Sequence, residues 1–123
     1  LLRYALLHSD KYVVLTKADV LDKCKAIKIC VKYIYQGADY QYGNKTLKKG
    51  DFIYMAIPRH EIIDHCEPVY VEFPGWVTSL REIRKFDDLP NELKTIIGFV
   101  ESETGMTTKV ISVGPDRNET IFV

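Results

Sequence analysis

The 123-residue sequence has no run of 18 apolar residues, so it offers no membrane-spanning helix. It has no C-x-x-C pair, and its three cysteines, at 24, 30 and 66, are odd in number. That argues against a disulfide framework and against a zinc site, and favours a reducing, cytosolic compartment. The phosphate-cradling pattern G-x-x-x-x-G-K-S/T is missing, as are internal repeats and low-complexity tracts. Charge of either sign is also not in excess, with 17 Lys plus Arg against 17 Asp plus Glu. Bulk charge therefore draws the chain neither to nucleic acid nor to an anionic membrane. No basic lead-in precedes Leu1-Leu2-Arg3-Tyr4-Ala5-Leu6-Leu7, which speaks against a signal peptide. The absence of an initiating Met suggests that an N-terminal portion is missing.

Enough apolar sequence is present for a core, at 46% of residues, beside 28% charged. Residues 1–7 read as the end of a helix with an apolar face. Tyr12-Val13-Val14-Leu15 reads as a short buried strand, and 18–25 as one or two helical turns. Ile27, Ile29, Val31 and Tyr33 alternate with Lys28, Cys30, Lys32 and Ile34, which predicts a strand over 27–35. Cys30 is expected to be a small buried hydrophobe within it. Beyond Gln36, Gly37 and Gly43-Asn44 mark turns. A strand over 51–57 stopped by Pro58, a short helix over 59–66 and a strand over 69–73 follow. Leu93, Ile96, Ile97 and Val100 repeat at helical spacing, with Pro90 suited to the first helical position and Gly105 to the position past the end. Strands over 109–113 and 120–123 complete the pattern. Strands alternating with helical segments indicate an α/β fold with parallel pairing, and this chain reads as the last part of one.

Two segments stand where chemistry is done in such folds, outside the carboxyl ends of strands. The first is Thr16-Lys17-Ala18-Asp19. A carboxylate there accepts two hydrogen bonds from guanine, from N1–H and the 2-amino group. Adenine presents an acceptor at N1 and no amine at C2, so a site of this kind rejects it by about 10⁴-fold or more. The methylene stem of Lys17 can lie along the purine face while its ammonium stays wet. A solvated strand-to-helix turn capped by Asp19 also accounts for these four residues. The second segment is Ser112-Val113-Gly114-Pro115-Asp116-Arg117. Gly114 permits close backbone approach. The Ser112 hydroxyl and neighbouring N–H groups can donate to a carbonyl such as guanine O6. A plain Gly-Pro turn is the other reading. His60, His65 and Cys66 make a thin case for a metal, and His8 has no visible partner. Lys45, Lys48 and Lys49 interleave with Tyr40 and Tyr42 as a solvated loop rather than a nucleic-acid surface. Glu101 and Glu103 read as the polar face of a helix. No nucleophile, His and acid arrangement stands out, so no catalytic or metal-binding residue is assigned.

Taken in order, these segments resemble the adenylosuccinate synthetase family. Thr16-Lys17-Ala18-Asp19-Val20-Leu21-Asp22 and Ile27-Lys28-Ile29-Cys30-Val31-Lys32-Tyr33 are similar to its T-K-x-D-V-L-D…I-K-x-C-V-x-Y. Pro68-Val69-Tyr70 through Phe73-Pro74-Gly75-Trp76 looks like its P-x-Y-E-x-x-P-G-W, with Val71 where Glu is usual and Glu72 one place later. Leu89-Pro90-Asn91 through Gly105 looks like its late helix. Ile111-Ser112-Val113-Gly114-Pro115-Asp116-Arg117 with Thr120-Ile121 resembles its C-terminal signature. The likeness covers 1–36 and 67–123; residues 37–66 depart from it, with Tyr40 to Lys49 reading as a lengthened hairpin insertion.

The resemblance implies a mainly parallel sheet flanked by helices, a P-loop-like GTP-dependent ligase fold, of which 1–123 is the C-terminal guanine-binding portion. It implies an enzyme joining IMP to L-aspartate with GTP and Mg²⁺, cytoplasmic and homodimeric. Lys17, Ala18 and Asp19 map onto one wall of the guanine site; Ser112, Val113, Gly114 and Pro115 map onto the other. The catalytic aspartate and histidine, the Mg²⁺ ligands and the aspartate-holding loop would precede Leu1. A chain ending at Val123 stops close to where the family does. Two alternatives come from other classes. One is a free-standing, non-catalytic nucleotide-binding module of this fold. The other is an interaction fragment that uses 37–66 as its contact surface.

Overall fold

The computed structural model describes residues 11–54 and 60–123. The helix expected over 1–7, Pro58 and the end of the strand expected over 51–57 lie outside those residues. The described residues form two compact units, one comprising 11–27 with 73–123, the other 28–54 with 60–72.

In the first unit, strand β1 (Tyr12–Leu15) is followed by a 3₁₀ turn over Ala18–Leu21. After the second unit the chain returns through a 3₁₀ turn at Phe86–Asp88 to a 14-residue helix, Asn91–Thr104. Strands β7 (Thr107–Ser112) and β8 (Thr120–Phe122) follow it. The sheet order is β1-β7-β8. β1 and β7 run parallel, with Leu15 opposite Ile111, and β7 and β8 run antiparallel, with Ile111 opposite Ile121. The helix packs on β7. It buries Leu93, Ile96 and Ile97 in the core that includes Ile111, Ile121 and Val113. Helical spacing sets that stripe, as expected from the sequence.

Pro90 is the residue just before the helix rather than its first member, with φ −53° and ψ 142°. Gly105 closes the helix in the left-handed region at φ 68°, its N–H donating to the Glu101 carbonyl at 2.8 Å. That is the conformation glycine adopts without a Cβ penalty. Glu101 is more than polar surface: its Oε1 accepts the buried Thr108 N–H at 2.6 Å and ties the helix to β7.

β1 is not the buried strand that its composition suggests. Tyr12 and Val14 are exposed, while Val13 and Leu15 are half-buried. Among the described residues β1 pairs with β7 alone, so one edge and one face stay open. On that face Val14, Val110 and Phe122 stand side by side across the three strands.

The second unit carries the longest strand, β2, which is Ala26–Tyr35. It lies between β5 (Phe52–Ile53) and β6 (Cys66–Pro74). A hairpin of β3 (Tyr40–Tyr42) and β4 (Lys45–Leu47) turns at Gly43-Asn44. A short helix, His60–Ile63, precedes β6. Tyr35, Ile53 and Ile62 form the core, with Tyr33, Tyr40, Leu47 and Cys66 packed on it. The Tyr35 hydroxyl donates to the Ala38 carbonyl at 2.7 Å. Cys30 is exposed, not buried. The two-residue period of a strand puts it on the face of exposed Lys28, and its Sγ donates to the Lys32 carbonyl at 3.4 Å.

The fold is α/β, but this segment is not mainly parallel. β1·β7 is parallel, whereas β2·β5, β3·β4 and β7·β8 are antiparallel. Connection length decides this. The loop from Val113 to Glu119 is too short for a crossover, whereas β1 reaches β7 by way of the rest of the chain.

Candidate functional site

Parallel pairing of β1 and β7 places their carboxyl ends side by side. The two segments singled out in the sequence, Lys17 to Asp19 and Ser112 to Pro115, therefore share one end of the sheet. The 3₁₀ turn that carries Ala18 and Asp19 contacts β7.

The first wall is built by an abrupt change of backbone. Lys17 takes the left-handed conformation at φ 57° and ψ 42°, and the 3₁₀ turn starts at the next residue. Ala18 is buried at 2% exposure, and Lys17 is exposed. Asp19 does not cap the turn. Lys17 holds the capping position with no side-chain hydrogen bond, and Asp19 lies in the first turn. The Asp19 side chain is only 14% exposed, and its Oδ2 lies 3.7 Å from Arg81 Nη2.

Asp22, three residues on, anchors this wall. Its Oδ1 accepts from Trp76 Nε1 at 2.8 Å and its Oδ2 accepts from the Leu80 N–H at 3.0 Å. Trp76 and Leu80 are both buried. The Lys23 N–H donates to the Trp76 carbonyl at 3.0 Å, and the Gly75 N–H to the Lys25 carbonyl at 3.0 Å. A Cβ on Gly75 would overlap the Cys24 carbonyl, so only glycine lets the two chain segments approach this closely.

The second wall is the loop after β7. Val113 and Gly114 are buried, Ser112 is half-buried and Pro115 is exposed. Ser112 Oγ donates to the Gly114 carbonyl at 2.9 Å, and the Val113 N–H donates to the Glu119 carbonyl at 2.8 Å. Two of the expected donors, the Ser112 hydroxyl and the Val113 N–H, are thus engaged within the loop. Glu119 organises it: Oε2 accepts the Asp116 N–H at 2.9 Å, and the Glu119 N–H donates to the Asp116 carbonyl at 2.9 Å. The space a Gly114 Cβ would need is filled by the Glu119 carboxylate. The close approach that Gly114 makes here is to Glu119.

Arg81, Asp22 and Glu119 were not legible as site builders. Arg81 and Glu119 belong to no motif, and Asp22 is only the last residue of one. His60, His65 and Cys66 belong to the second unit. His60 is exposed, and Cys66 Sγ donates to the Ile62 carbonyl at 3.1 Å. Burial pushes the Cys66 thiol up from its ordinary value. Among the described residues no group of three or more His, Cys, Asp or Glu is placed to hold a metal ion. His8 lies outside those residues. No described helix is long and apolar enough to cross a membrane.

A family model described as adenylosuccinate synthetase matches residues 1–121. The adenylosuccinate synthetase of Parabacteroides distasonis is 39% identical over 121 residues, 98% of this chain and 25% of the relative. That of Bacteroides fragilis is 36% identical over 110 residues, 89% of this chain and 22% of the relative. Among solved structures, the fully ligated adenylosuccinate synthetase from Plasmodium falciparum superposes with a TM-score of 0.75 at 30% identity. It matches 92% of this chain and 24% of its own. The chain thus spans about a quarter of the length of the relatives it matches. It belongs to the adenylosuccinate synthetase family.

Proposed function

We propose that this chain is the guanine-recognising part of an enzyme that makes adenylosuccinate from IMP and L-aspartate. In that reaction the γ-phosphoryl group of GTP moves to the 6-oxygen of IMP. The amine of aspartate then displaces the phosphate, giving adenylosuccinate, GDP and phosphate. Residues outside this chain would hold Mg²⁺, which when bound would supply neutralisation of the charge on the transferring group. The whole enzyme is cytoplasmic, homodimeric and P-loop-like in its larger fold, with 37–66 as a divergent hairpin insertion.

One observation carries the reading: the parallel β1·β7 pair sets Asp19 and the Ser112–Gly114 loop at the same end of one sheet. Asp19 accepts from guanine N1–H and the 2-amino group. Lys17, exposed on its left-handed turn, covers the purine with its stem. Across from them, Val113 N–H and Ser112 Oγ are committed within the loop, and Pro115 has no N–H to offer. Gly114 N–H is then the main-chain donor for O6, with Ser112, Val113 and Pro115 shaping the wall. The residues suit a guanine base in charge, donor placement and partial burial. The open apolar row of Val14, Val110 and Phe122 favours a part of a larger body over a free-standing module, because a lone domain gains nothing from exposing it.

The test is nucleotide choice in the intact synthetase carrying this segment, with GTP, ATP and XTP. Asp19→Asn should lose GTP use and shift toward XTP, whose 2-carbonyl accepts from the new amide. Retention of full GTP preference by the variant would sink the assignment of Asp19.

A further inference from the structure

Asp19 bears a negative charge at a position largely withdrawn from water, its side chain 14% exposed. A guanine laid on it removes most of the remaining water, and guanine is neutral. A carboxylate covered in this way keeps two hydrogen bonds from the base, but without a counter-charge its negative charge loses its hydration uncompensated. Arg81 stands at that carboxylate, with Nη2 3.7 Å from Oδ2.

The placement follows from the fold. Asp22 takes the Leu80 N–H and the Trp76 indole N–H on its two oxygens, which pins the 76–80 segment beside the 3₁₀ turn. Arg81 is the next residue. Its side chain stays 57% exposed, so it contributes little to packing. The separation is too long for an N–H···O hydrogen bond, which needs about 2.7–3.2 Å. The contact is therefore Coulombic and leaves the acceptor sites of Asp19 open to two donors from a base.

We infer that Arg81 is a positioning residue for nucleotide selection: it supplies the charge that lets Asp19 be covered by guanine. This rests on the guanine-binding reading of Asp19. Arg81 touches no base and acts through the carboxylate. Its effect appears in nucleotide affinity and leaves the chemical step alone.

The experiment uses the intact synthetase carrying this segment, with Arg81→Gln, Arg81→Lys, Asp19→Asn and the double variant Arg81→Gln/Asp19→Asn. Arg81→Gln should raise KM for GTP about fivefold and leave kcat within about twofold, the size expected of a partly exposed ion pair. Arg81→Lys should restore most of the loss. In the Asp19→Asn background, Arg81→Gln should add little, because the charge it serves is gone. An unchanged KM in Arg81→Gln, or the same fivefold loss in both backgrounds, overturns the inference. If Asp19→Asn shifts nucleotide choice but Arg81→Gln does nothing, the guanine reading stands and the role of Arg81 falls. If Asp19→Asn keeps its GTP preference, both fall.

Discussion

The two compact units are held together by different means. In the first, an aliphatic core beneath one helix is reinforced by carboxylates that accept main-chain N–H groups of separate segments. Asp22 holds Trp76 and Leu80, and Glu101 holds Thr108. In the second, residues 28–72 rely on strand pairing around a small core of Tyr35, Ile53 and Ile62, with local bonds such as Tyr35 to Ala38. There the carboxylates of Glu67 and Glu61 accept from side chains, those of Gln36 and Tyr40, in exposed hydrogen bonds. The carboxylate ties fix main-chain groups directly, so they position strand ends and loops. Local packing fixes only its own segment. The end of the sheet carrying Asp19 and Gly114 belongs to the unit built with ties.

The largest expected effect separates stability from function. Ile111 and Ile62 are each fully buried, one in each unit. Replacing either by Ala should cost about 2–5 kcal/mol in the urea unfolding of the protein. Only Ile111→Ala should also raise KM for GTP in the intact synthetase, since Ile111 immediately precedes Ser112. Equal effects of both variants on KM would break the comparison.

Gly75→Ala comes next. Its Cβ would meet the main chain at Cys24, which cannot swing aside as a flexible side chain would. We expect a loss of about 1–3 kcal/mol. Gly43→Ala, in the hairpin of the second unit, meets open space and carries only the strain of its φ of 59°. A urea midpoint for Gly75→Ala no lower than that of Gly43→Ala would contradict the close packing of 75 on 24.

Asp22→Ala leaves the Trp76 and Leu80 N–H groups without their acceptor, at a cost of about 1–3 kcal/mol. It also releases the segment leading to Arg81. Its KM for GTP should therefore rise as in Arg81→Gln. An Asp22→Ala enzyme with lowered stability and an unaltered KM would show that the tie supports packing alone.

What could be read in advance follows the range of the interactions. The helix over Asn91–Thr104 was legible because its stripe of Leu93, Ile96 and Ile97 and its closing Gly105 are local signals. The strand over Ala26–Tyr35 was legible from its alternation. Both walls of the candidate site were legible as strand ends followed by Asp19 or Gly114. The open face of β1 was not, because Val and Tyr favour a strand whether or not anything covers them. Arg81 beside Asp19 was hidden for another reason. The contact joins residues 62 positions apart through Asp22, and no local pattern announces it. Glu119 was missed because Gly114-Pro115 reads as a turn whatever fills the space above Gly114.

The smallest expected effect lies in the second unit and tests its local packing. The Cys66 thiol is raised by burial beside Ile62 and Tyr35. Above the ordinary thiol value of about 8.5, the unfolded chain releases a proton that the folded chain keeps. The folded state's share of stability from Cys66 is thus complete below that value and is lost as pH rises through the raised folded value. Between about pH 8 and pH 10 the urea midpoint of the wild-type protein should fall more steeply than that of Cys66→Ala. The variant should also be less stable at every pH, because it loses packing against the small core. In the same range Cys66 should alkylate more slowly than the exposed Cys30. Parallel pH slopes for wild type and variant would mean that the core around Tyr35 admits water. The second unit would then be looser than its hydrogen bonds suggest, and the contrast with the carboxylate-tied unit would be sharper still.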